Sequence, residues 1–323
     1  MPDLIGYWAT GRQVAERTNA STTGLLRVGG SGWDDELIAL LGLRRGLFPE
    51  LVDPGTLLGP VTAEVASEFG ISSALGFTTV GSHDTASAVV GVPATSADAA
   101  FISCGTWSLV GTELPVPVAS DEARTAGFTN EGGVDGRTRF LKNVMGLWLL
   151  SESIRAWEKI GEQQELGTLL KQAAEAPSDV PTFDANDPRL LAPGNMPSRI
   201  EALLVEQGSR APASIPEFVR GVLQSLANAY AEAVRDIERL TGRTIRAVHI
   251  VGGGARNALL CQLTADVVGV VVVAGPVEAT AIGNLLVQAR THGLVHGDLE
   301  SLRNVVVRSF PPQTYAPQTR SGR

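Results

Sequence analysis

Cysteine and lysine are both scarce in this sequence, and each scarcity excludes a class of protein. The only cysteines among the 323 residues are Cys104 and Cys261, which excludes a disulfide framework and is typical of a cytoplasmic protein. The only lysines are Lys142, Lys159 and Lys171. None of them ends a Gly-x-x-x-x-Gly-Lys loop, so a P-loop nucleotidase is excluded. The His-Arg-Asp and Asp-Phe-Gly motifs of protein kinases are absent as well.

Positive charge and long apolar runs are also in short supply. The formal net charge is -8 and the pI is about 5.1. Because nucleic-acid binding depends mostly on Lys and Arg that neutralise phosphates, we expect no nucleic-acid partner. The apolar run over 267–275 is far shorter than the ~20 residues of a membrane span, and no signal peptide is visible. With 44% hydrophobic residues, the sequence predicts a cytoplasmic globular protein with no membrane partner.

Turn residues and apolar spacing predict the elements and one boundary between them. Gly91-Val-Pro93 and the Ala/Ser-rich stretch after it favour a domain boundary. Before it we expect helices over 37–41, 61–70 and 85–90 and a strand over 76–80. After it we expect a hairpin of strands over 100–104 and 107–112, a second hairpin over 128–141 with Asp135-Gly136 as a type I′ turn, a helix from Asn143, a long loop over 175–199, a helix over 216–240 capped by Ser214, strands over 246–251 and 270–274, and helices over 257–268 and 279–292.

The last part of the chain alternates all-aliphatic strands with helices. Strands that are aliphatic throughout are buried on both faces, which requires helices to cover the sheet. The sequence therefore predicts an α/β fold.

Two turns of small residues are candidate phosphate-binding segments. Gly252-Gly-Gly254 lies between a predicted strand and a predicted helix, a position that favours nucleotide binding. The dinucleotide fingerprint is incomplete, because Asn257 stands where its last glycine belongs. Gly105-Thr106 forms a hairpin turn whose backbone N–H groups and hydroxyl could approach a phosphate. Each segment is equally compatible with a plain tight turn.

Asp84 stands between a predicted strand and a predicted helix and has three interpretations. Asp is a good helix N-cap, so a purely structural role is possible. It could instead accept a proton from a hydroxyl nucleophile during phosphoryl transfer. A metal site shared with His83 is a weaker interpretation, since adjacent residues seldom face one ion. Asn143 is open to a structural interpretation as well, because its simplest role is to cap the helix predicted to follow it.

Four motifs decide among these interpretations, because they occur together and in a characteristic order. The motifs are Gly81-Ser-His-Asp-Thr-Ala-Ser-Ala88, Ser103-Cys-Gly-Thr-Trp-Ser108, Lys142-Asn-Val-Met-Gly-Leu-Trp-Leu-Leu150 and Val251-Gly-Gly-Gly-Ala-Arg-Asn257. With these motifs in this order, the chain resembles the FGGY carbohydrate-kinase family, and within it the rhamnulokinase branch. The similarity covers essentially the whole chain.

The resemblance implies the α/β actin/Hsp70/sugar-kinase fold, made of two RNase H-like domains. Residues 1–95 would be the C-terminal part of the first, sugar-binding domain, and 96–323 the complete second, nucleotide-binding domain. The implied reaction is phosphorylation of L-rhamnulose to L-rhamnulose 1-phosphate with ATP and Mg²⁺. No protein ligand of the metal is assigned. The implied site residues are Asp84 as catalytic base, His83, Asp84, Thr85 and Asn143 on the sugar, and Thr106, Gly252, Gly253, Gly254 and Asn257 on ATP.

Two departures from the family pattern leave alternatives open. Ser151 stands where members often carry a Gln near the nucleotide. The family's opening Asp-x-Gly-x-x-Ser phosphate turn has only one look-alike, Asp53-Pro-Gly-Thr56, which we expect to be an ordinary loop. The chain is therefore expected to start partway through the first domain. A kinase for another deoxyketose such as L-fuculose, or a truncated non-catalytic pseudokinase, remains an alternative.

Overall fold

The computed structural model describes residues 1–318, which form two compact units. Unit 1 contains Met1–Ala97, Thr112–Leu141 and Glu278–Pro311. Unit 2 contains Asp98–Gly111, Lys142–Val277 and the described residues from Pro312 onward. Each unit is thus assembled from segments that are distant in the sequence.

Helices make up much of the described chain. Their bounds are α1 (Pro2–Thr10), α2 (Arg17–Ala20), α3 (Asp35–Leu40), α4 (Ala63–Phe69), α5 (Asp84–Val90), α6 (Asp121–Thr125), α7 (Trp148–Lys159), α8 (Leu166–Glu175), α9 (Met196–Glu206), α10 (Ile215–Thr241), α11 (Ala258–Val268), α12 (Ala279–Thr291) and α13 (Leu299–Ser309). Within residues 1–318, no helix combines the length and the apolar character that crossing a membrane requires.

The strands form one large sheet and two small ones. Their bounds are β1 (Val14–Glu16), β2 (Glu50–Val52), β3 (Leu57–Pro60), β4 (Gly76–Thr78), β5 (Ala99–Cys104), β6 (Trp107–Leu114), β7 (Thr129–Gly132), β8 (Thr138–Met145), β9 (Ala247–Val251), β10 (Val271–Ala274) and β11 (Gln313–Tyr315). The seven-stranded sheet has the order β11-β10-β9-β5-β6-β8-β7. The pairs β1-β2 and β3-β4 form the small sheets.

The long helix α10 follows directly from its sequence signals. The Ser214 side chain accepts a hydrogen bond from the Glu217 amide, Pro216 occupies the first turn, and Gly242 ends the helix in the left-handed conformation. One face is buried throughout, as the apolar spacing requires. The predicted helix, its cap and its end are confirmed.

The two predicted hairpins are also confirmed. Strands β5 and β6 pair antiparallel through the turn at 105–106, with Cys104 opposite Ser108. Strands β7 and β8 pair antiparallel, and Asp135 and Gly136 between them both have positive φ, as a type I′ turn requires.

The predicted helix start at Asn143 is wrong. Asn143 lies inside β8, and the helix α7 begins only at Trp148. Val144 and Met145 beyond it are buried, and the Met145 amide donates to Asn186 Oδ1 at 3.0 Å. These contacts extend the strand past the residue that resembled a cap.

The predicted loop over 175–199 is only partly correct. A 3-10 turn (Pro188–Leu190) lies within it, and α9 begins at Met196, where the Asn195 side chain caps the helix. The helices α1, α8 and α13 carry no separate prediction.

In unit 1, α5 and α12 approach each other closely. A Cβ on Gly283 would lie 1.9 Å from the Ser87 carbonyl oxygen, and one on Gly91 would lie 2.4 Å from the Ala279 oxygen. Only glycine fits at these two points. The contact fixes the position of α5, whose residues from Thr85 to Val90 are all buried.

Candidate active site

Asp84 is the first residue of α5, and its carboxylate is open to solvent. The N-cap position belongs to His83, so the interpretation of Asp84 as the cap is wrong. The Asp84 side chain is 81% exposed, and its Oδ1 accepts from the Thr85 amide at 2.6 Å and from Thr85 Oγ1 at 3.2 Å. The rest of the helix is buried, so Asp84 is an accessible carboxylate on a fixed support.

His83 lies beside this carboxylate in a mostly buried position. Its Nδ1 is 3.4 Å from Asp84 Oδ1, and among residues 1–318 it has no hydrogen-bond partner. Burial, and next the positive charge of Arg139, lower the pKa of His83. The lowered pKa favours the neutral imidazole at neutral pH.

A buried ion pair lies near His83 in unit 1. Arg139 is fully buried; its Nη2 is 2.9 Å from Glu131 Oε2, and its Nε donates to the Gly132 carbonyl at 2.9 Å. Burial lowers the pKa of Arg139, while the charge of Glu131 opposes that shift. Sequence reasoning missed this pair, because nothing in the local pattern distinguishes Arg139 from an exposed strand residue.

A second buried acid supports the segment that precedes Asp84. The Glu16 carboxylate is wholly buried and accepts hydrogen bonds from the amides of Thr18 and Ser82 at 2.8 and 3.0 Å. Burial raises the pKa of Glu16, and the hydrogen bonds that it accepts oppose the shift. The sequence gives no signal for this role, because charged residues are mostly exposed and no motif marks Glu16.

In unit 2, the turn at Gly105-Thr106 is held in place from the start of α7. The Leu147 amide donates to the Gly105 carbonyl at 3.0 Å, and the Trp148 amide donates to the Thr106 carbonyl at 3.1 Å. A Cβ on Gly146 would lie 2.5 Å from the Thr106 carbonyl oxygen. The Thr106 side chain itself is exposed, so its hydroxyl is available to a ligand.

The glycine turn of unit 2 packs against the end of β5. Strands β5 and β9 are parallel, with Ser103 beside Val251, so both strands end at one edge. Gly252 has φ 82°, and a Cβ on Gly254 would lie 2.2 Å from Cys104 Sγ. A Cβ on Gly253 would meet nothing within 4 Å, so the space above it is open. The turn therefore presents its backbone at the carboxyl edge of the sheet, next to the Thr106 hairpin.

The predicted nucleotide residue Asn257 also has a structural role. Its side chain caps α11, with Oδ1 accepting from the Leu260 amide at 3.0 Å, and it is buried.

Beneath these turns lies a buried polar cluster. The Tyr230 hydroxyl on α10 is 2.7 Å from Ser108 Oγ and 3.5 Å from Cys104 Sγ. Burial raises the pKa of Tyr230 well above its ordinary value, so the phenol stays neutral. The cluster ties α10 to both strands of the hairpin.

The predicted residues are divided between the two units. His83, Asp84 and Thr85 are consecutive in unit 1. In unit 2, the glycine turn packs against Cys104, two residues before Thr106, and Asn143 is an exposed residue of β8. The predicted residues of unit 2 are Thr106, Asn143, Gly252, Gly253, Gly254 and Asn257. In the part of the chain that the structure describes, no three His, Cys, Asp or Glu residues are arranged to hold a metal ion.

Comparison with known proteins identifies similar sequences. The profile described as the FGGY family of carbohydrate kinases, C-terminal domain, matches residues 100–292, and the N-terminal-domain profile of the same family matches 1–91. The rhamnulokinase of Enterococcus faecalis is 43% identical over 317 residues, which are 98% of this chain and 63% of that protein. The rhamnulokinase of Bacteroides thetaiotaomicron is 38% identical over 318 residues, with 98% and 64% covered. The chain thus spans less than two thirds of the length of these relatives.

Solved structures share the fold. Ligand-bound xylulose kinase from Lactobacillus acidophilus superposes with a TM-score of 0.75 at 18% identity, over 98% of this chain and 62% of that one. Glycerol kinase from Plasmodium falciparum with ADP gives a TM-score of 0.76 at 15% identity, with the same coverage. The expected actin/Hsp70-like sugar-kinase fold is confirmed.

Proposed function

Because the chain belongs to the FGGY family of carbohydrate kinases, we propose that it acts in ATP-dependent phosphorylation of L-rhamnulose to L-rhamnulose 1-phosphate. The choice of sugar rests on relatives named rhamnulokinase at 38% to 43% identity. The single observation that carries the chemistry is the Asp84 carboxylate, 81% exposed at the start of an otherwise buried helix.

Asp84 is assigned as the general base. As the sugar hydroxyl oxygen forms its bond to the γ-phosphorus, the hydroxyl proton passes to the Asp84 carboxylate. The bond between the γ-phosphorus and the bridging oxygen breaks, and ADP leaves with that electron pair. The carboxylate is suited to this step because, within residues 1–318, it accepts hydrogen bonds only from Thr85 and has acceptor positions free.

His83, Thr85 and Asn143 are assigned to the ketose hydroxyls. His83 is assigned through the exposed part of its neutral ring, since its side chain is 23% exposed while Nδ1 is buried. Asn143 offers an exposed amide, which can both donate and accept.

The hairpin turn and the glycine turn of unit 2 are assigned to ATP. Thr106 would contact the phosphates through its hydroxyl and nearby backbone amides. Gly252, Gly253 and Gly254 would lie against the adenosine, since the space above Gly253 is open. Asn257 would support the nucleotide site as the buried N-cap of α11, directly after the glycine turn. When bound, Mg²⁺ would neutralise charge on the phosphate oxygens that hold it.

The domain assignment and the location are parts of the same proposal. Residues 1–95 are assigned to the sugar-binding domain and 96–323 to the nucleotide-binding domain. A cytoplasmic location is proposed, since both cysteines are free thiols. Low affinity for nucleic acid is proposed from the net charge of -8.

A second enzymatic candidate is a kinase for another deoxyketose such as L-fuculose, because the contacts that select the sugar are only partly represented by His83, Thr85 and Asn143. A non-catalytic pseudokinase is the third candidate. The accessible Asp84 carboxylate argues against it.

The test is a coupled assay of ADP release with Mg²⁺-ATP and four acceptors, namely L-rhamnulose, L-fuculose, L-xylulose and glycerol. We expect the highest kcat/KM with L-rhamnulose, and a phosphorus NMR signal of a primary sugar phosphate in the product. L-fuculose as the best acceptor would replace the substrate assignment. Nucleotide binding without turnover of any acceptor would support the pseudokinase instead.

A further inference from the structure

Glu16 is a charged residue that the proposed chemistry does not use, yet it is completely buried in unit 1. It ends β1, and its carboxylate accepts four hydrogen bonds. They come from the Thr18 amide at 2.8 Å, Thr18 Oγ1 at 2.6 Å, the Asn19 amide at 3.2 Å and the Ser82 amide at 3.0 Å. All four donors point at the carboxylate, so the bonding requires its ionised form at Oε2, where three of them meet.

Thr18 adds a second link to the same segment. Its hydroxyl donates to Glu16 Oε2 and accepts from the His83 amide at 3.3 Å. Because an ionised carboxylate can only accept, the Thr18 hydroxyl gives its proton to Glu16. The hydroxyl oxygen then accepts from the His83 amide. The consecutive amides of Ser82 and His83 are therefore held by one cluster that lies about sixty-five residues earlier in the chain, with separations of 66 and 65.

These two amides immediately precede Asp84. The exposed Asp84 side chain is supported only by hydrogen bonds from its neighbour Thr85, so its position depends on the backbone at both of its sides. On the C-terminal side, α5 is fixed by the close contact of Gly91 with α12. On the N-terminal side, the hydrogen bonds from the Ser82 and His83 amides to Glu16 and Thr18 fix the backbone.

Burying a carboxylate costs free energy, because the charge loses its hydration. The four hydrogen bonds that Glu16 accepts offset this loss, and the positive charge of Arg139 also interacts favourably with it. Glu16 is also the N-cap of α2, and its hydrogen bond from the Ser82 amide goes beyond that role. Misplacing a reacting group by ~1 Å can cost ~10²-fold in rate. An ionised acceptor gives shorter and stiffer hydrogen bonds than a neutral one.

We infer that Glu16 and Thr18 are positioning residues that hold the 82–83 backbone so that Asp84 stands correctly for proton transfer. The inference rests on the proposed function, since it assumes that Asp84 is the base.

The decisive comparison is Thr18→Val against Thr18→Ser. Valine keeps the shape and removes both links, leaving the His83 amide and one Glu16 bond unmatched, whereas serine keeps both links. We expect kcat to fall about 10-fold to 100-fold in Thr18→Val with KM for ATP unchanged, and to recover in Thr18→Ser. Thr22→Val is the matched control, because its exposed hydroxyl only donates to the nearby Asn19 carbonyl.

Glu16→Gln provides a second perturbation if Thr18→Val unfolds. The amide group of Gln has the volume of the carboxylate, but its NH₂ group would face hydrogen-bond donors and could not accept from them. We therefore expect the Ser82 and His83 amides to exchange hydrogen faster than in the unsubstituted protein. Amide hydrogen exchange is measured without substrate, so it reports how firmly the 82–83 backbone is fixed, independently of turnover. Unchanged exchange at both amides, or unchanged kcat in a folded Thr18→Val protein, would overturn the positioning role. No ketose phosphorylation by the unsubstituted protein would overturn the proposed function, and the positioning role with it.

Discussion

Asp84→Asn separates the catalytic interpretation from any structural one. Asparagine has the same shape, and its Oδ1 can still accept from the Thr85 amide, now at 2.6 Å. It cannot take a proton from the sugar hydroxyl. Removing a general base typically lowers the rate ~10²-fold to 10⁴-fold. At about 1.36 kcal/mol for each factor of ten, that is about 2.7 to 5.4 kcal/mol in activation free energy.

The same substitution should leave stability nearly unchanged. The side chain is 81% exposed, and the hydrogen bond that it accepts is retained. Surface substitutions of this kind change the free energy of unfolding by about 0.5 kcal/mol or less. Because binding does not need the proton transfer, KM for ATP and the affinity for the ketose should stay close to their original values.

The assay combines steady-state ADP release with urea unfolding of the same preparations. Asp53→Asn is the matched control: Asp53 is 73% exposed in the look-alike loop, and in the described part of the chain its carboxylate forms an ion pair only with Arg17, at 2.7 Å. We expect full activity from the control and near-background kcat from Asp84→Asn. The reasoning is refuted if Asp84→Asn turns over within threefold of the original rate. It is equally refuted if the variant keeps its activity and loses more than about 2 kcal/mol of stability, a loss far above the surface range.

Three further substitutions test residues that pack around the candidate site, two of them near the turns of unit 2 and one near His83 in unit 1. In Gly254→Ala, the added Cβ would lie 2.2 Å from Cys104 Sγ, so we expect about 1 to 3 kcal/mol of destabilisation and weaker ATP binding by titration. Unchanged ATP affinity would mean that the turn does not contact the nucleotide. Tyr230→Phe removes a hydroxyl 2.7 Å from Ser108 Oγ, and urea unfolding should show a loss of about 1 to 2 kcal/mol; a gain would contradict the hydrogen bond. Arg139→Met leaves the Glu131 carboxylate, which is only 14% exposed, without its partner, so thermal unfolding should show a loss of about 3 kcal/mol. A melting temperature equal to the original would exclude the ion pair.

Elements with a complete set of local signals could be predicted from the sequence. The helix α10 has a Ser cap, a first-turn proline, a regular apolar face and a terminal glycine, and all four features are present in the structure. The type I′ turn at Asp135 and Gly136 needs two residues that tolerate positive φ, and both are there. In these cases the local preference and the tertiary environment agree.

The region around Asn143 shows what local signals leave out. Asn is a good helix cap, and the apolar spacing that follows it is helical, so the local sequence favours a helix start at this position. The strand is extended by burial of Val144 and Met145 and by a hydrogen bond from Met145 to Asn186, 41 residues away. A contact over that distance has no signature in the residues around 143.

The candidate site also contains residues that could be predicted from the sequence and residues that could not. The segment that carries His83 and Asp84 is contiguous, so its chemistry could be proposed from the sequence. Glu16 and Arg139 could not be placed there, because charged residues are mostly exposed and a sequence gives no reason to bury one. Their burial creates a local conflict with that rule, and such conflicts are expected where function constrains the fold. The two buried charges near His83 are therefore the part of the site that only the three-dimensional structure could reveal.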